Sequence, residues 1–210
     1  GTLVTWGVVL LLVGAISKSA LIPFHFWLPG AMAAPTPVSA YLHAAAMVKA
    51  GIYLVARFAP AYADVPLWRV LVLVLGGATM IIGAYRSLRQ YDLKLLLAYG
   101  TVSQLGFLVV LVGAGTGDAA LAGVAMVLAH ALYKACLFLV VGAIDHATGT
   151  RDLRELSGLA HTSPGLAIAG VVGAASMAGL PPLLGFVADR VGTDVAIATA
   201  SGVHAAATAE

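Results

Sequence analysis

Long apolar stretches, separated by short polar or proline-containing connections, dominate the 210 residues of this chain. A helix that crosses a membrane needs about 20 mostly apolar residues, and most of these stretches reach that length. The strict polar and apolar alternation that is typical of barrel strands is absent from the sequence. The apolar stretches lie at residues 2–20, 38–57, 66–85, 92–113, 118–143 and 164–179, and after residue 182. The pattern predicts an all-α membrane protein, a bundle of about six to seven transmembrane helices.

Prolines interrupt this pattern near both ends of the chain. Pro23, Pro29, Pro35 and Pro37 follow the first apolar stretch, and two adjacent prolines at 181 and 182 precede the last one. Each proline lacks a backbone donor and disfavours helix in the residue before it. We therefore expect the first and last elements to be interrupted helices, a feature that often marks an ion site in membrane bundles.

Polar residues indicate where several helices begin. Asp92, Asp118 and Ser163 each precede an apolar stretch, and their side chains can accept hydrogen bonds from the first turn of a helix. Pro66 and Pro164 suit the first helical position, where a missing donor costs nothing. These residues predict the starts of the third, fourth, fifth and sixth spans.

Composition agrees with a membrane protein. The chain is 61% hydrophobic and 10% charged, with a mean hydropathy of +1.00, too little polar surface to cover a soluble domain. The net charge of +2, without a cluster of lysine and arginine, disfavours nucleic-acid binding. The single cysteine, Cys136, lies among apolar residues and is interpreted as a core residue.

Lysine and arginine residues are unequally divided between the two ends of the predicted bundle. One side contains Arg86, Arg89, Lys94, Arg151 and Arg154, whereas the opposite side contains Arg57 and Arg69. Because loops rich in these residues remain on the inner side of the membrane, the first side is predicted to be cytoplasmic.

Five titratable bases fall within the predicted spans, and no Asp or Glu lies well inside the first six of them. The five are Lys18, His43, Lys49, His130 and Lys134. A lysine inside the membrane costs about 2.5 to 3.5 kcal/mol, so such residues are expected to face the bundle interior or water. Burial can lower the pKa of a lysine to about 5 to 6, which would allow it to load and release a proton.

The spacing of these bases is weaker evidence for proton transfer than their position inside the predicted spans. His130 and Lys134, in the stretch "AHALYKACLFLVVG", share one helical face and could exchange a proton through one water. His43 and Lys49 are six residues apart, about 120° around a helix, and are expected to belong to different contacts. Structural alternatives remain: the histidines could hydrogen-bond between helices, and Lys18 and Lys49 could extend towards an interface, for which Lys134 has less room.

Enzymatic chemistry is not indicated. The six histidines show no zinc-type spacing, Cys136 has no histidine at a neighbouring helical position, and no glycine-rich phosphate loop follows a strand. We expect no catalytic residue, cofactor or metal site. The charged connection at residues 145–159 is either a solvated loop or a docking site for a neighbouring subunit.

Four stretches carry a resemblance to a known family. They are "KSALIPFHFWLPGAMAAPTPVSAYLHAAAMVKAGIYLVAR" at residues 18–57, "DLKLLLAYGTVSQLGF" at 92–107, "AHALYKACLFLVVG" at 129–142 and "MAGLPPLLGF" at 177–186. Residues 1–186 thus resemble part of the antiporter-like subunits of Mrp-type multisubunit sodium/proton antiporters and of the proton-pumping arm of respiratory complex I. The connection at 145–159 is more similar to the large subunit of the Mrp antiporters.

The resemblance implies a function. It implies a secondary transporter subunit, not an enzyme, that moves protons along a buried axis containing Lys18, His43, Lys49, His130 and Lys134 and exchanges them for sodium or another monovalent cation. Other antiporter subunits and membrane lipid would be its partners, and a bacterial inner membrane its location. The alternatives are a proton-pumping subunit of the complex I type and a fragment that transports nothing.

Several positions depart from the resemblance. Met126 stands where members often have a histidine, and Asp189 with Arg190 stands near the place of an expected lysine. Residues 187–210, rich in Ala and Thr from Val191 onward, are interpreted as an atypical tail, truncated or rearranged. No initiator Met or leader precedes the first stretch, and no counterpart of the family's essential glutamate is present, so we expect a piece of a longer protein.

Overall fold

The structure, a computed structural model, describes residues 2–207, with the side chains of residues 2, 44, 45 and 199–207 outside that description. Helices make up almost all of it. They are α1 (Thr2–Lys18), α2 (Trp27–Gly30), α3 (Thr36–Ser39), α4 (Lys49–Tyr62), α5 (Pro66–Leu88), α6 (Leu93–Gly113), α7 (Gly117–Thr148), α8 (Leu159–Thr162), α9 (Pro164–Met177) and α10 (Leu184–Ala207). The all-helical membrane fold predicted from the sequence is confirmed.

Three of the described helices, α5, α6 and α7, are long and apolar enough to cross a membrane, and two shorter apolar helices run over Leu3–Lys18 and Pro164–Met177. Helix α6 lies at the centre, against α4, α5 and α7. The contact of α5 with α6 is close because Gly106 faces the backbone of Gly76 and Met80, where a methyl group would collide. Trp68 adds a buried hydrogen bond from its indole to the carbonyl of Gly113, 2.9 Å long.

The interruption predicted after the first apolar stretch is present. Between α1 and α4 the chain forms 3-10 turns at Phe24–Phe26 and Ala31–Ala33, the short helices α2 and α3, and a π-helical segment, Ala40–Ala45. The continuous helix predicted over residues 38–57 is wrong, since the helix breaks between Ala45 and Lys49. The buried hydroxyl of Ser19 donates to the carbonyl of Val48 at 2.6 Å, which satisfies a backbone acceptor at the break.

The predicted helix starts are partly confirmed. Asp92 accepts hydrogen bonds from the amides of Lys94 and Leu95 and caps α6 as expected. The cap of α7 is Thr116, whose hydroxyl accepts from the amide of Ala119, so the assignment of this role to Asp118 is wrong.

Of the remaining predicted helix starts, some agree with the structure and one does not. Pro66 and Pro164 occupy the expected first turns, whereas Ser163 makes no side-chain capping bond.

Cys136, expected in the core, is only partly buried and lies against the carbonyl of Ala169 in α9.

The two connections rich in basic residues lie side by side, as their assignment to one face of the membrane requires. The amide of Leu93 donates to the carbonyl of Arg151, and the amide of Leu153 donates to the carbonyl of Tyr91. The guanidinium of Arg154 covers the ring of Tyr91 at 4.5 Å. The ends of α5 and α7 and the start of α6 therefore meet at one surface, called the basic surface below.

Candidate functional site

Two of the predicted bases lie in the interior of the bundle on α7. His130 is 0% exposed and Lys134 is 1% exposed, one helical turn apart. The imidazole of His130 meets the ring of Tyr133 edge to face, with 5.4 Å between centroids. Its two nitrogens find no hydrogen-bond partner within the described part of the chain. A buried nitrogen without a hydrogen-bond partner costs free energy. Such groups are typical of sites where water or a proton is exchanged.

A backbone carbonyl holds the ammonium group of Lys134 within the part of the chain that the structure describes. Its Nζ donates to the carbonyl of Leu97 in α6 at 3.1 Å, and the hydroxyl of Thr101 donates to the same carbonyl at 2.9 Å. Gly100 leaves the space that this nitrogen occupies, because a methyl group there would lie 2.9 Å from it. Lys134 makes no ion pair with the described residues, so a neutral amine would leave no carboxylate uncompensated.

Lys49 joins this pair from α4. It is the first residue of α4 after the helix break, is 8% exposed and interacts electrostatically with both His130 and Lys134. A cavity of about 340 Å³ lies beside it, lined in part by Val124 and Val127 of α7. Lys49 and α7 thus share a cavity, and three of the five predicted bases lie within electrostatic range of one another.

His43 lies apart from that group of three. It is buried in the π-helical segment, its ring 6.4 Å from that of Trp27, and it interacts electrostatically with Lys94. His43 and Lys49 have different surroundings, as expected, but the reason is the helix break between them and not their angular separation on one helix.

Lys18 does not occupy the buried position that was expected for it. It ends α1 and is exposed in this chain, beside a groove of about 390 Å³ that also contains Ser17, Trp27 and Met47. Its role in proton transfer, implied by the resemblance, stays a prediction.

Lys94 is a functional candidate that the sequence interpretation missed by counting it among the loop cations. It is 2% exposed, and its Nζ donates to the carbonyls of Met32 at 3.3 Å and Ala34 at 2.8 Å. These carbonyls belong to the interrupted segment that precedes α3. One signal was available: a lysine in the first turn of a helix opposes the helix dipole, so another interaction must hold it there.

No group of three His, Cys, Asp or Glu side chains within the described residues could hold a metal ion. The buried polar side chains of the described interior are lysines, histidines and the hydroxyls of serine and threonine, and they lie among backbone carbonyls. Such an arrangement is suited to accepting and passing protons.

Sequence comparisons point to one family. Residues 1–207 match the family described as "NADH:quinone oxidoreductase/Mrp antiporter, TM". The chain is 52% identical over 183 residues to a probable K(+)/H(+) antiporter subunit of Rhizobium meliloti (strain 1021), covering 87% of this chain and 18% of that protein. It is 46% identical over 194 residues to a Na(+)/H(+) antiporter subunit of Bacillus subtilis (strain 168), covering 87% and 24%. The chain therefore spans about a fifth to a quarter of these relatives.

Solved structures share the fold. An Mrp complex from Dietzia sp. DQ12-45-1b contains a chain that matches with a TM-score of 0.86 and 53% identity, over 90% of this chain and 21% of that one. The membrane-bound sulfane sulfur reductase, an archaeal respiratory membrane complex, matches with a TM-score of 0.84 and 27% identity, over 90% and 40%. With its apolar spans and bacterial relatives, the chain is an integral bacterial membrane protein.

Proposed function

We propose that this chain, which belongs to the NADH:quinone oxidoreductase/Mrp antiporter transmembrane family, is part of a subunit that exchanges protons for a monovalent cation. The names of its relatives support this function, since they describe antiporter subunits and not enzymes. Those names include both potassium and sodium, so the proposal extends to alkali cations as a class. The partners would be the other subunits of a multisubunit Mrp-type complex.

The observation that carries the proposal is the group formed by Lys49, His130 and Lys134. These three bases are buried on α4 and α7, two helices that both pack against α6, and His130 lies one turn from Lys134. Two lysine ammonium groups that interact electrostatically in a membrane interior repel each other strongly, because little solvent screens them. Protonation of one lysine therefore favours release of the proton from the other.

A transfer step follows from this repulsion. A proton that reaches Lys49 adds to its amine and raises the energy of the charged Lys134 ammonium. Lys134 then gives up a proton to a water molecule or to the imidazole of His130, whose ring can accept a proton on one nitrogen and release it from the other. The carbonyl of Leu97 keeps the amine of Lys134 in place during the exchange.

Coupling to a cation would use the same repulsion. A cation that enters near the group of bases raises the energy of their charged forms, just as a second proton does, and so drives a proton out. The direction of exchange then follows the two ion gradients. The region that admits the cation is assigned to other parts of the subunit or to its partners.

The experiment is a flux measurement in inverted membrane vesicles that contain the complex, prepared from a host without its own cation/proton antiporters. With the proton gradient established and respiration then blocked, addition of Na⁺ or K⁺ should release protons from the vesicle interior within seconds. Choline at the same ionic strength should have no effect. Absence of cation-triggered flux at verified abundance of the complex would overturn the proposal and favour a chain that transports nothing.

A second candidate function is supported by the archaeal respiratory complex, whose chain shares this fold at 27% identity. In that case redox chemistry in another subunit would drive protons along the same bases. The same vesicles distinguish the two: proton movement that requires an electron donor and ignores Na⁺ and K⁺ would identify the redox-driven function.

A further inference from the structure

A large cavity opens at the basic surface, beside Lys94, His146 and Arg151. It measures about 700 Å³ and is lined by Ala34, Thr36, Lys94, Asp145, His146 and Arg151, among others. At roughly 30 Å³ for each molecule of liquid water, this volume is enough for about twenty waters. It lies between the interrupted segment before α3, the first turn of α6 and the last turns of α7.

Lys94 forms the inner wall of this cavity. Its ammonium group is held by the carbonyls of Met32 and Ala34 and interacts electrostatically with the buried His43. Leu97, whose carbonyl holds Lys134, follows Lys94 by three residues on α6 and so lies one turn deeper. The cavity thus leads from the basic surface towards both parts of the candidate site.

Lys94 and Arg151 compete for the same two carboxylates, those of Asp92 and Asp145. Arg151 reaches the carboxylate of Asp92 at 3.4 Å and that of Asp145 at 3.9 Å. These side chains are all about one-third exposed, so the two ion pairs are weak and can open. Lys94 interacts with the same two carboxylates and is repelled by Arg151. When Arg151 swings away, the carboxylates are left to stabilise a positive charge on Lys94.

We propose that this cavity is the mouth through which water delivers protons from the basic surface to Lys94, and that Arg151 controls access to it. The inference rests on the proposed proton transport, for which it supplies an entry point. In the open state a hydronium ion transfers a proton to the neutral amine of Lys94 and becomes water. Lys94 then passes that proton inward to the imidazole of His43, through water, and returns to the neutral form. When Arg151 pairs again with Asp92 and Asp145, the positive charge on Lys94 loses its stabilisation, which favours proton transfer from Lys94 to His43.

The first test measures access to the cavity and does not depend on transport. In a Cys136→Ser background, Ala34→Cys places a thiol on the cavity wall, and Ala120→Cys places one near the start of α7, at the opposite end of that helix. A membrane-impermeant charged methanethiosulfonate should label the first thiol in inverted vesicles and the second in right-side-out vesicles.

Arg151 is tested with the same reagent. Arg151→Gln should raise the labelling rate of Ala34→Cys several-fold in inverted vesicles, whereas Arg151→Lys should leave it within about twofold of the parent. An Ala34→Cys thiol that does not react from the inverted side in either background would overturn the proposal. Equal labelling rates with arginine and glutamine at position 151 would show that Arg151 does not control access to the cavity.

The second test concerns the role of Lys94. Arginine can keep the hydrogen bonds to Met32 and Ala34 but does not release its proton. At equal abundance of the assembled complex, Lys94→Arg should lower cation-triggered proton flux at least tenfold. Full flux in that variant would show that Lys94 only positions the interrupted segment. If the parent complex shows no flux, the proposed function fails, while the labelling results still decide whether the mouth exists.

Discussion

At the scale of single residues, the environment of Lys134 depends on a glycine in the neighbouring helix. Gly100→Ala would place a methyl group 2.9 Å from Nζ of Lys134 and force the ammonium group away from the carbonyl of Leu97. Because Nζ is the far end of a flexible side chain, it can move aside at little cost to stability, but the amine then leaves its hydrogen-bond acceptor. We expect cation-triggered proton flux to fall by about tenfold while the complex still assembles.

A matched control for that substitution lies in α5. Gly77→Ala adds the same methyl group at a position with no atom within 4 Å, so flux and abundance should stay at parent levels. Flux is measured in inverted vesicles and normalised to the amount of complex. Equal losses in both variants, or no loss in Gly100→Ala, would contradict the placement of Lys134.

Residue identity alone predicted part of the candidate site. His130 and Lys134 were found because an intramembrane base is rare and costly, and the structure buries both. Lys94 was missed, since its burial depends on carbonyls about 60 residues away in the chain. Exposure of Lys18 at the end of α1 was missed for the same reason, because local sequence does not specify which neighbours cover a helix end.

At the scale of helices, the start of α7 gives a test of the capping assignment. Thr116→Ala removes the acceptor for the amide of Ala119 and should cost about 1 kcal/mol. Hydrogen exchange in the first turn of α7 should then accelerate about fivefold, as followed by mass spectrometry. Thr116→Ser should restore the parent rate.

The control for the capping test is the residue that the sequence had suggested. Asp118 is exposed in the first turn and contributes only through the helix dipole, so Asp118→Asn should change the exchange rate less than Thr116→Ala does. A larger effect from Asp118→Asn would return the capping role to it.

Helix starts and stops were predictable where the signal is local. Asp92 and Pro66 act through their own backbone and first turn, and the structure places α6 and α5 accordingly. The break between Ala45 and Lys49 has no proline to mark it. It is stabilised by Ser19, 29 residues away from Val48, and such a distant partner is not visible in a local pattern.

At the scale of the whole molecule, the basic surface is held together partly by the connection that follows α7. Hydrogen bonds from Arg154 lower the pKa of Asp152 from its ordinary value of 3.8 to about 2. A carboxyl with a lowered folded-state pKa contributes stability above its ordinary pKa and loses it as the pH falls through the folded value. The contribution should be complete at about pH 5 and lost towards about pH 2.

Hydrogen exchange at the amide of Leu153, which is bonded to the carbonyl of Tyr91, reports this contribution. Protection corrected for the intrinsic pH dependence of exchange should persist at about pH 4 in the parent and decline near pH 2. In Arg154→Gln this decline should be absent, since a carboxyl that keeps its ordinary pKa in the folded state contributes no pH-dependent stability. Identical profiles for the two proteins would contradict the assignment.

The most direct measurement for the molecule as a whole compares proton flux with lysine, arginine and alanine at position 134. Inverted vesicles with equal amounts of the complex receive a pulse of Na⁺ or K⁺ after respiration is blocked, and proton release is recorded. If a titrating amine at Lys134 carries protons, the parent exchanges, while Lys134→Ala and Lys134→Arg both lose at least about nine-tenths of the flux. Full exchange by either variant would show that Lys134 is structural and would contradict proton transfer through this residue.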